Sequence, residues 1–428
     1  MNNFSIFLGK SISYISKHLN LGHGSTWPGH IALKLNSDFI TDLFKNSQTK
    51  IIFITGTNGK TTTAKMLETI LKIAGKKVFS NISGANLLNG IASSLITNCS
   101  ISGEINADFA IFEVDENTLP LITKNIKPDF IIALNLFRDQ LDRYGELDSI
   151  AKKWQITYKD LNHTTFILNA DDPKIAYLGN GNKNAYYFGL SDKTLETKEK
   201  QHASDSMFCP RCGENLYFDY FYFSHLGKWS CQNCNLTRPK LDLDSFSFYP
   251  ISGTYSKYDT LAAALTAKKL GIPNAIIINA LKKFKPAFGR QEKLVVKDKK
   301  IQLFLSKNPA SFNESLKTIN EEKPKNLLIA LNDRIPDGTD VSWIWDIDFE
   351  NFISTDTKLF LSGDRVYDLA LRIKYAGISR EKYKTFENLE DAIHAGIEAT
   401  NKMNTFYILP TYSAMLETRK ILTGKKIL

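Results

Sequence analysis

The chain has 428 residues, 43% hydrophobic and 23% charged, which is too long for one ordinary domain and too apolar for a disordered protein. No apolar run approaches the ~20 residues of a membrane span, and the N-terminus lacks the charged start, apolar run and cleavage site of a secretory signal. A cytoplasmic protein of two or three domains is therefore expected. With 54 basic and 45 acidic residues the formal charge is +9, which suits an anionic partner such as a nucleotide, a phosphorylated substrate or an acidic membrane surface.

In chain order, Phe4, Phe7, Leu8, Ile12, Ile15 and Leu19 fall on roughly one helical face, with lysines and no acids nearby. This predicts an amphipathic helix, either packed on the body or resting on anionic lipid. Gly22 to His30 reads as a loop by composition. Next, the β-branched run Ile51-Ile52-Phe53-Ile54 ends in Gly56-Thr57-Asn58-Gly59-Lys60-Thr61-Thr62, and Met66, Leu67, Ile70 and Leu71 then recur at helical spacing. Strand, glycine turn and helix make a phosphate-binding loop. Backbone N–H groups and the positive helix end converge on an anion, Lys60 adds a charge, and Thr61 offers a hydroxyl to Mg²⁺. Ile54 stands where the usual longer loop has its first glycine.

Lys77 to Phe79, Asp108 to Asp115, Asp129 to Asn135 and Thr165 to Pro173 read as further strands, mostly continuous apolar runs of the buried parallel kind that end in polar residues. Glu113, Asn135 and Asp171 fall at their carboxyl ends, where doubly wound sheets gather ligands. A carboxylate there can complete the shell of a phosphate-bound Mg²⁺, so Glu113 is paired with Thr61, with Asp115 and Glu116 as alternatives. Cys209-Pro210-Arg211-Cys212 and Cys231-Gln232-Asn233-Cys234 have the spacing of a zinc ribbon, a closed four-thiolate and hence structural site. Leu216 to Phe223, between them, reads as hairpin strands. Lys228 and Arg238 beside these aromatics leave nucleic-acid binding as an alternative. Cys99 has no motif around it and reads as a buried, inert thiol. Asp259 to Leu270 reads as a helix with Gly271 behind it, and Lys285 to Arg290 as the end of the first domain. From Leu294 strands and helices alternate again at Ile301 to Leu305, Leu327 to Leu331, Lys358 to Leu361 and Thr405 to Leu409. An acidic, turn-rich stretch, Leu331 to Asp346, follows one of these strands.

The motif order resembles the Mur ligase family. It is carried by the loop Gly56 to Thr61, Glu113, Asn135 with Asp139-Gln140-Leu141-Asp142, Asn169-Ala170-Asp171-Asp172 and Gly289-Arg290. Lys307-Asn308-Pro309, Asp337 to Trp343, Ser362 to Arg365 and Leu409 to Leu416, with the ribbon, make it most similar to the members that amidate lipid II. The resemblance implies an α/β fold: residues 1–45 as an N-terminal segment, a P-loop ATPase domain over 46–290 with a four-cysteine zinc ribbon inserted at about 200–245, and a smaller, Rossmann-like α/β domain over 291–428.

It implies ATP and Mg²⁺ as cofactors, with structural Zn²⁺. Gly56, Thr57, Asn58, Gly59, Lys60, Thr61, Thr62, Arg290 and Asn308 would bind ATP, Lys60 in a catalytic role, and Thr61 with Glu113 would hold the Mg²⁺. The implied reaction converts the α-carboxylate of D-glutamate in the lipid II stem peptide to D-isoglutamine through an acyl phosphate, at the inner face of the membrane. Ammonia would come from glutamine through a separate GatD-type glutaminase subunit in a heterodimer, whose triad Asp340 would complete. An amino-acid ligase like folylpolyglutamate synthase is the alternative enzyme.

Departures from the family pattern are also expected to matter. Gln140 stands where relatives have a His, and Trp154, beside Lys153, stands where they carry a carbamylated lysine, so a second Mg²⁺ site is not implied. Tyr255-Ser256-Lys257-Tyr258-Asp259 replaces the usual adenosine-binding His-Asn-x-x-Asn. Only residues 1–45 stand where relatives carry a domain for a UDP-sugar, which fits a lipid-linked substrate without uridine.

Overall fold

A computed structural model describes residues 2–18, 26–45, 47–81, 85–139 and 147–424, with side chains from 15 to 18 left aside. Among the described residues the strands form two six-stranded sheets and a small hairpin. The first sheet contains β1 (Lys50–Thr55), β2 (Val78–Ser80), β3 (Phe109–Glu113), β4 (Phe130–Ala133), β5 (Thr165–Asn169) and β6 (Ala185–Phe188). Their order is β2-β3-β1-β4-β5-β6, and every pairing is parallel.

Both faces of this sheet are covered, which explains the unbroken apolar runs. Ile52, Ile54, Ile111 and Ile132 point to one core with the helices Lys60–Ile73, Thr254–Lys269 and Asn274–Lys283. Ile51, Phe53, Phe112 and Ile131 point to the other, with Leu88–Asn98, Leu119–Asn125 and Leu147–Lys159. The chain leaves β1 toward β2 on one side and returns to β4 on the other. The crevice at the carboxyl end of β1 is thus the switch point of the sheet.

The hairpin pairs β7 (Tyr217–Phe223) with β8 (Leu226–Ser230). The stretch read as hairpin strands is therefore one strand. It turns at Ser224 (φ 49°) and pairs with the run beyond, which was not foreseen. The second sheet, with β9 (Arg290–Val296), β10 (Lys299–Phe304), β11 (Asn326–Ala330), β12 (Lys358–Ser362), β13 (Tyr383–Thr385) and β14 (Thr405–Pro410), has the order β13-β12-β11-β14-β10-β9. Only β9 runs antiparallel. Arg290 pairs with Phe304 and so opens the second sheet as well as closing the first segment.

The expected N-terminal helix spans Asn2–His18. The loop expected over 22–30 is corrected in part: Trp27 begins a helix, Trp27–Leu35, because Pro28 is preset for a first turn. Residues 22–25 lie outside the described residues. The helix expected from Asp259 begins five residues earlier, at Thr254, where polar residues hid its start.

Candidate functional site

Backbone geometry makes the turn after β1 specific to glycine at two places. Gly56 has φ +124°, and a Cβ there would sit 2.8 Å from the carbonyl oxygen of Asn135. Gly59 has φ +92°, and its Cβ would strike the carboxylate of Asp259. The strand-end Asn135 secures the turn from the side: its carbonyl accepts from Thr57 N–H at 2.9 Å and its Oδ1 from Asn58 N–H at 2.9 Å. With these two amides occupied, anion binding falls to the first turn of the helix Lys60–Ile73, which directs its N–H groups at the loop's mouth.

The predicted side chains of the nucleotide site converge here. Thr61 Oγ1 donates to Glu113 Oε2 at 2.7 Å, and Arg290 Nη2 lies 3.3 Å from the same hydroxyl. Lys60 Nζ donates to Gly56 O at 2.5 Å and lies 3.4 Å from Glu116 Oε1. Asn308 comes from the second sheet's side: its Nδ2 donates to Asn58 Oδ1 at 3.0 Å, while its Oδ1 caps the helix Pro309–Glu321. Arg290 is aimed by the left-handed backbone on either side of it, at Gly289 (φ 70°) and Gln291 (φ 55°). Burial raises the carboxyl groups of Glu113 and Glu116, opposed by the Thr61 hydrogen bond and by Lys60 respectively. A buried carboxylate beside a hydroxyl, at the mouth of an anion site, is the donor set a divalent cation needs, so Thr61 and Glu113 fit Mg²⁺.

Sequence reasoning missed the contacts of three members of this cluster. Glu116, read there as an alternative Mg²⁺ ligand, is an ion-pair partner of Lys60. Lys307 pairs with Asp139 across the two sheets. Asp259 lies under Gly59 with Thr63 Oγ1 at 3.4 Å, its Oδ2 buried without a partner. Its place in the altered adenosine motif was the available signal.

Burial raises the Asp259 carboxyl to about 8, with Arg290 and Thr63 opposing. A native-state value above the unfolded one means that the folded protein holds the proton more tightly. The stability this contributes is full below the unfolded value and is lost as pH rises toward 8. Asp259→Asn is accordingly expected to gain thermal stability relative to the parent as pH is raised from 5 to 8. A melting-temperature difference that stays flat over this range would count against a neutral Asp259.

Asp171, also at a strand end, serves structure. It accepts from Arg238 Nε and Tyr258 OH at 2.6 Å each, and from Leu190 N–H at 2.9 Å. Arg238 is thereby committed, and Lys228 pairs with Asp219 at 2.9 Å, so both cations on which the nucleic-acid alternative rested have protein partners. Trp154 is buried and donates Nε1–H to Glu116 O at 2.8 Å, while Lys153 Nζ lies 3.4 Å from Asn117 Oδ1. Tyr255 accepts from Gln291 Nε2 at 2.7 Å. Gln140 lies outside the described residues. Asp340 is exposed and remote in sequence from this cluster, its carboxylate accepting from Ser342 N–H at 2.8 Å and Ser342 Oγ at 3.0 Å. Cys99 is buried and burial raises its thiol, as an inert core cysteine requires.

The four paired cysteines come together, all Sγ atoms within 4.8 Å of one another. Matching turns present them: Cys209 N–H donates to Glu214 O and Cys231 N–H to Leu236 O, both at 2.7 Å. Four thiols at the corners of so small a volume, unbridged by disulfides, fit a tetrahedral Zn²⁺. Trp229 Nε1, donating to Ala170 O at 3.0 Å, ties this unit to the first sheet.

A helix-opening anion site at the switch point, with a second α/β layer bringing Arg290 and Asn308 over it, is the arrangement of the ATP- and Mg²⁺-dependent ligases of Mur type. The family models concur: "Mur ligase middle domain" matches residues 54–233 and "MurT ligase C-terminal" matches 305–415. Among solved structures, a pseudomurein peptide ligase type C from Methanothermus fervidus is 25% identical, with a TM-score of 0.68, covering 90% of this chain and 81% of its own. The lipid II isoglutaminyl synthase (glutamine-hydrolyzing) subunit MurT of Streptococcus pneumoniae is 32% identical over 99% of this chain and 97% of its own length. Its namesake from Staphylococcus aureus strain COL is 32% identical over 83% and 84%. The chain belongs to the MurT family of Mur ligases.

Proposed function

We propose that this chain is the synthetase subunit of a glutamine-hydrolysing amidotransferase that converts the α-carboxylate of D-glutamate in lipid II to an amide, a step of peptidoglycan synthesis. The reading is carried by the convergence of Lys60, Thr61, Glu113, Arg290 and Asn308 on one turn, in a chain that aligns with the Streptococcus pneumoniae MurT subunit almost end to end. A carboxylate does not condense with ammonia near neutral pH; transferring the γ-phosphoryl group of ATP to it supplies a leaving group. A carboxylate oxygen attacks the γ-phosphorus and ADP departs. Ammonia then adds to the acyl carbon and phosphate leaves with the original oxygen.

The loop Gly56 to Thr62 receives the phosphates and Lys60 neutralises the charge that moves to the β–γ bridge. Thr61 and Glu113 would hold Mg²⁺, which would supply charge neutralisation at the transferring group. Arg290 and Asn308 hold the nucleotide from the second sheet. We assign the ATPase unit to residues 46–290, preceded by 1–45, and the smaller unit to 291–428. Ammonia comes from a GatD-type glutaminase subunit whose triad Asp340 would complete, a reading supported by the relatives' description as subunits of a glutamine-hydrolyzing synthase. The enzyme works in the cytoplasm at the inner membrane face.

The test is mass spectrometry of lipid II after incubation with this chain, the glutaminase, ATP, Mg²⁺ and glutamine. Replacement of one carboxyl hydroxyl by an amino group, giving an amide at the second stem residue, dependent on ATP, is expected. Unchanged lipid II with ATP consumed would refute it.

The four-cysteine unit is a structural zinc site in this reading. Metal analysis is expected to find one zinc per chain, and stripping it with a strong chelator should lower the melting temperature by several degrees. A metal-free protein of equal stability would remove the zinc from the account.

A further inference from the structure

We infer that the outward aromatic face of the first helix docks the protein on an anionic bilayer. Phe4 and Phe7 are 64% and 59% exposed, and Tyr14 is 65% exposed. At about 100° per residue, positions 4, 7, 11 and 14 share one side of the helix Asn2–His18, while Ser5, Ile6 and Gly9 occupy the other. That other side is fixed. Ile6 lies in the core of the first sheet, and a Cβ on Gly9 would come within 2.9 Å of Ile96. The helix therefore has no room to roll its rings inward. Pro28 packs against the same glycine, and its neighbour Trp27, 65% exposed, stands at the start of the adjoining helix.

Charge selects the occupant. The first 37 residues hold Lys10, Lys17 and Lys34 and no Asp or Glu. The nearby carboxylate of Asp42 is held by Asn2 on the body side of the helix, at 3.1 Å. Large rings flanked by lysines, with that carboxylate turned away from them, match the headgroup layer of an anionic membrane, where rings lie at the boundary and ammonium groups meet lipid phosphates. No described helix is long and apolar enough to cross a bilayer, so contact is in the plane of the surface. The inference rests on the proposed lipid-linked substrate for its purpose, since docking would bring the site to the leaflet that carries the substrate.

Sedimentation of the full chain with phosphatidylglycerol-containing vesicles, against phosphatidylcholine alone, is the test. The parent should bind the anionic vesicles preferentially. Phe4→Asp with Phe7→Asp should weaken binding at least about tenfold, and Lys10→Gln about fivefold, at unchanged melting temperature. A parent that ignores anionic vesicles, or a double variant that binds them equally, overturns the inference. So does a double variant that keeps vesicle binding but loses the glutaminase or a second copy of the chain, as this would make the face a protein interface. Amidation of a short-chain, water-soluble lipid II analogue separates the two readings. The double variant should retain it, and its absence from the parent would defeat the proposed function while leaving the vesicle result to judge the helix.

Discussion

Lys60→Ala should lower ATP-dependent amidation by about 10³-fold or more, because it removes the side-chain cation at the floor of the phosphate loop. The ammonium lies among Gly56 O, Thr57 O and Glu116, on the helix turn whose N–H groups face the same opening. Among the described residues the neighbouring cations stand elsewhere, Arg290 beside Thr61 and Lys307 with Asp139, so neither takes the place of a charge aimed between β- and γ-phosphates. Substitution also strands Glu116, which burial already pushes toward the neutral form, and so it will protonate rather than unfold the protein. A modest fall in melting temperature should accompany the kinetic loss. The measurement is single-turnover formation of ADP and amide, with circular dichroism as the control for folding. Near-parent rates in a folded Lys60→Ala protein would remove the loop from the mechanism. Glu113→Gln tests the other half of the site, and should raise the Mg²⁺ concentration needed for turnover.

Asp340→Asn should separate the two ammonia sources. If its carboxylate orients a histidine in the partner's triad, glutamine-dependent amidation should fall by about 10⁴-fold, the scale on which losing the acid of such a triad is felt. Amidation from added ammonium salt should stay near the parent rate, since the phosphate loop is untouched. The local geometry favours this. Asp340 is exposed, yet both oxygens are held by Ser342, so it presents an oriented carboxylate at the surface. Equal loss with both nitrogen sources would mean that Asp340 acts within the synthetase, and no loss with either would dismiss it.

The parts legible in the sequence are those whose chemistry is local. Gly56 to Thr62 announces itself because a turn, a cation and a helix start adjoin one another, and the cysteines do so because each pair closes one small turn. The interiors of the first sheet's longer strands were readable because burial on both faces forbids polar residues there. What could not be read depends on distant pairing. Lys307 and Asp139 are 168 positions apart, and Asp259 and Thr63 are 196 apart, so no window of sequence relates them. Asp171 reads as a ligand at a strand end because its neutralising partner, Arg238, lies 67 positions away within the inserted ribbon. The edge strands β6 and β13 escaped notice because Ala-Tyr-Tyr-Phe and Tyr-Lys-Thr are short and half-polar, as edges tend to be.

The most direct measurement is a crystal structure of this chain with Mg²⁺ and a non-hydrolysable ATP analogue. The account requires the β- and γ-phosphates over the N–H groups of Lys60 to Thr62, Lys60 Nζ turned from Gly56 O toward them, and the cation between Thr61 and Glu113. Phosphates bound elsewhere, with Lys60 still held by Glu116, would contradict it.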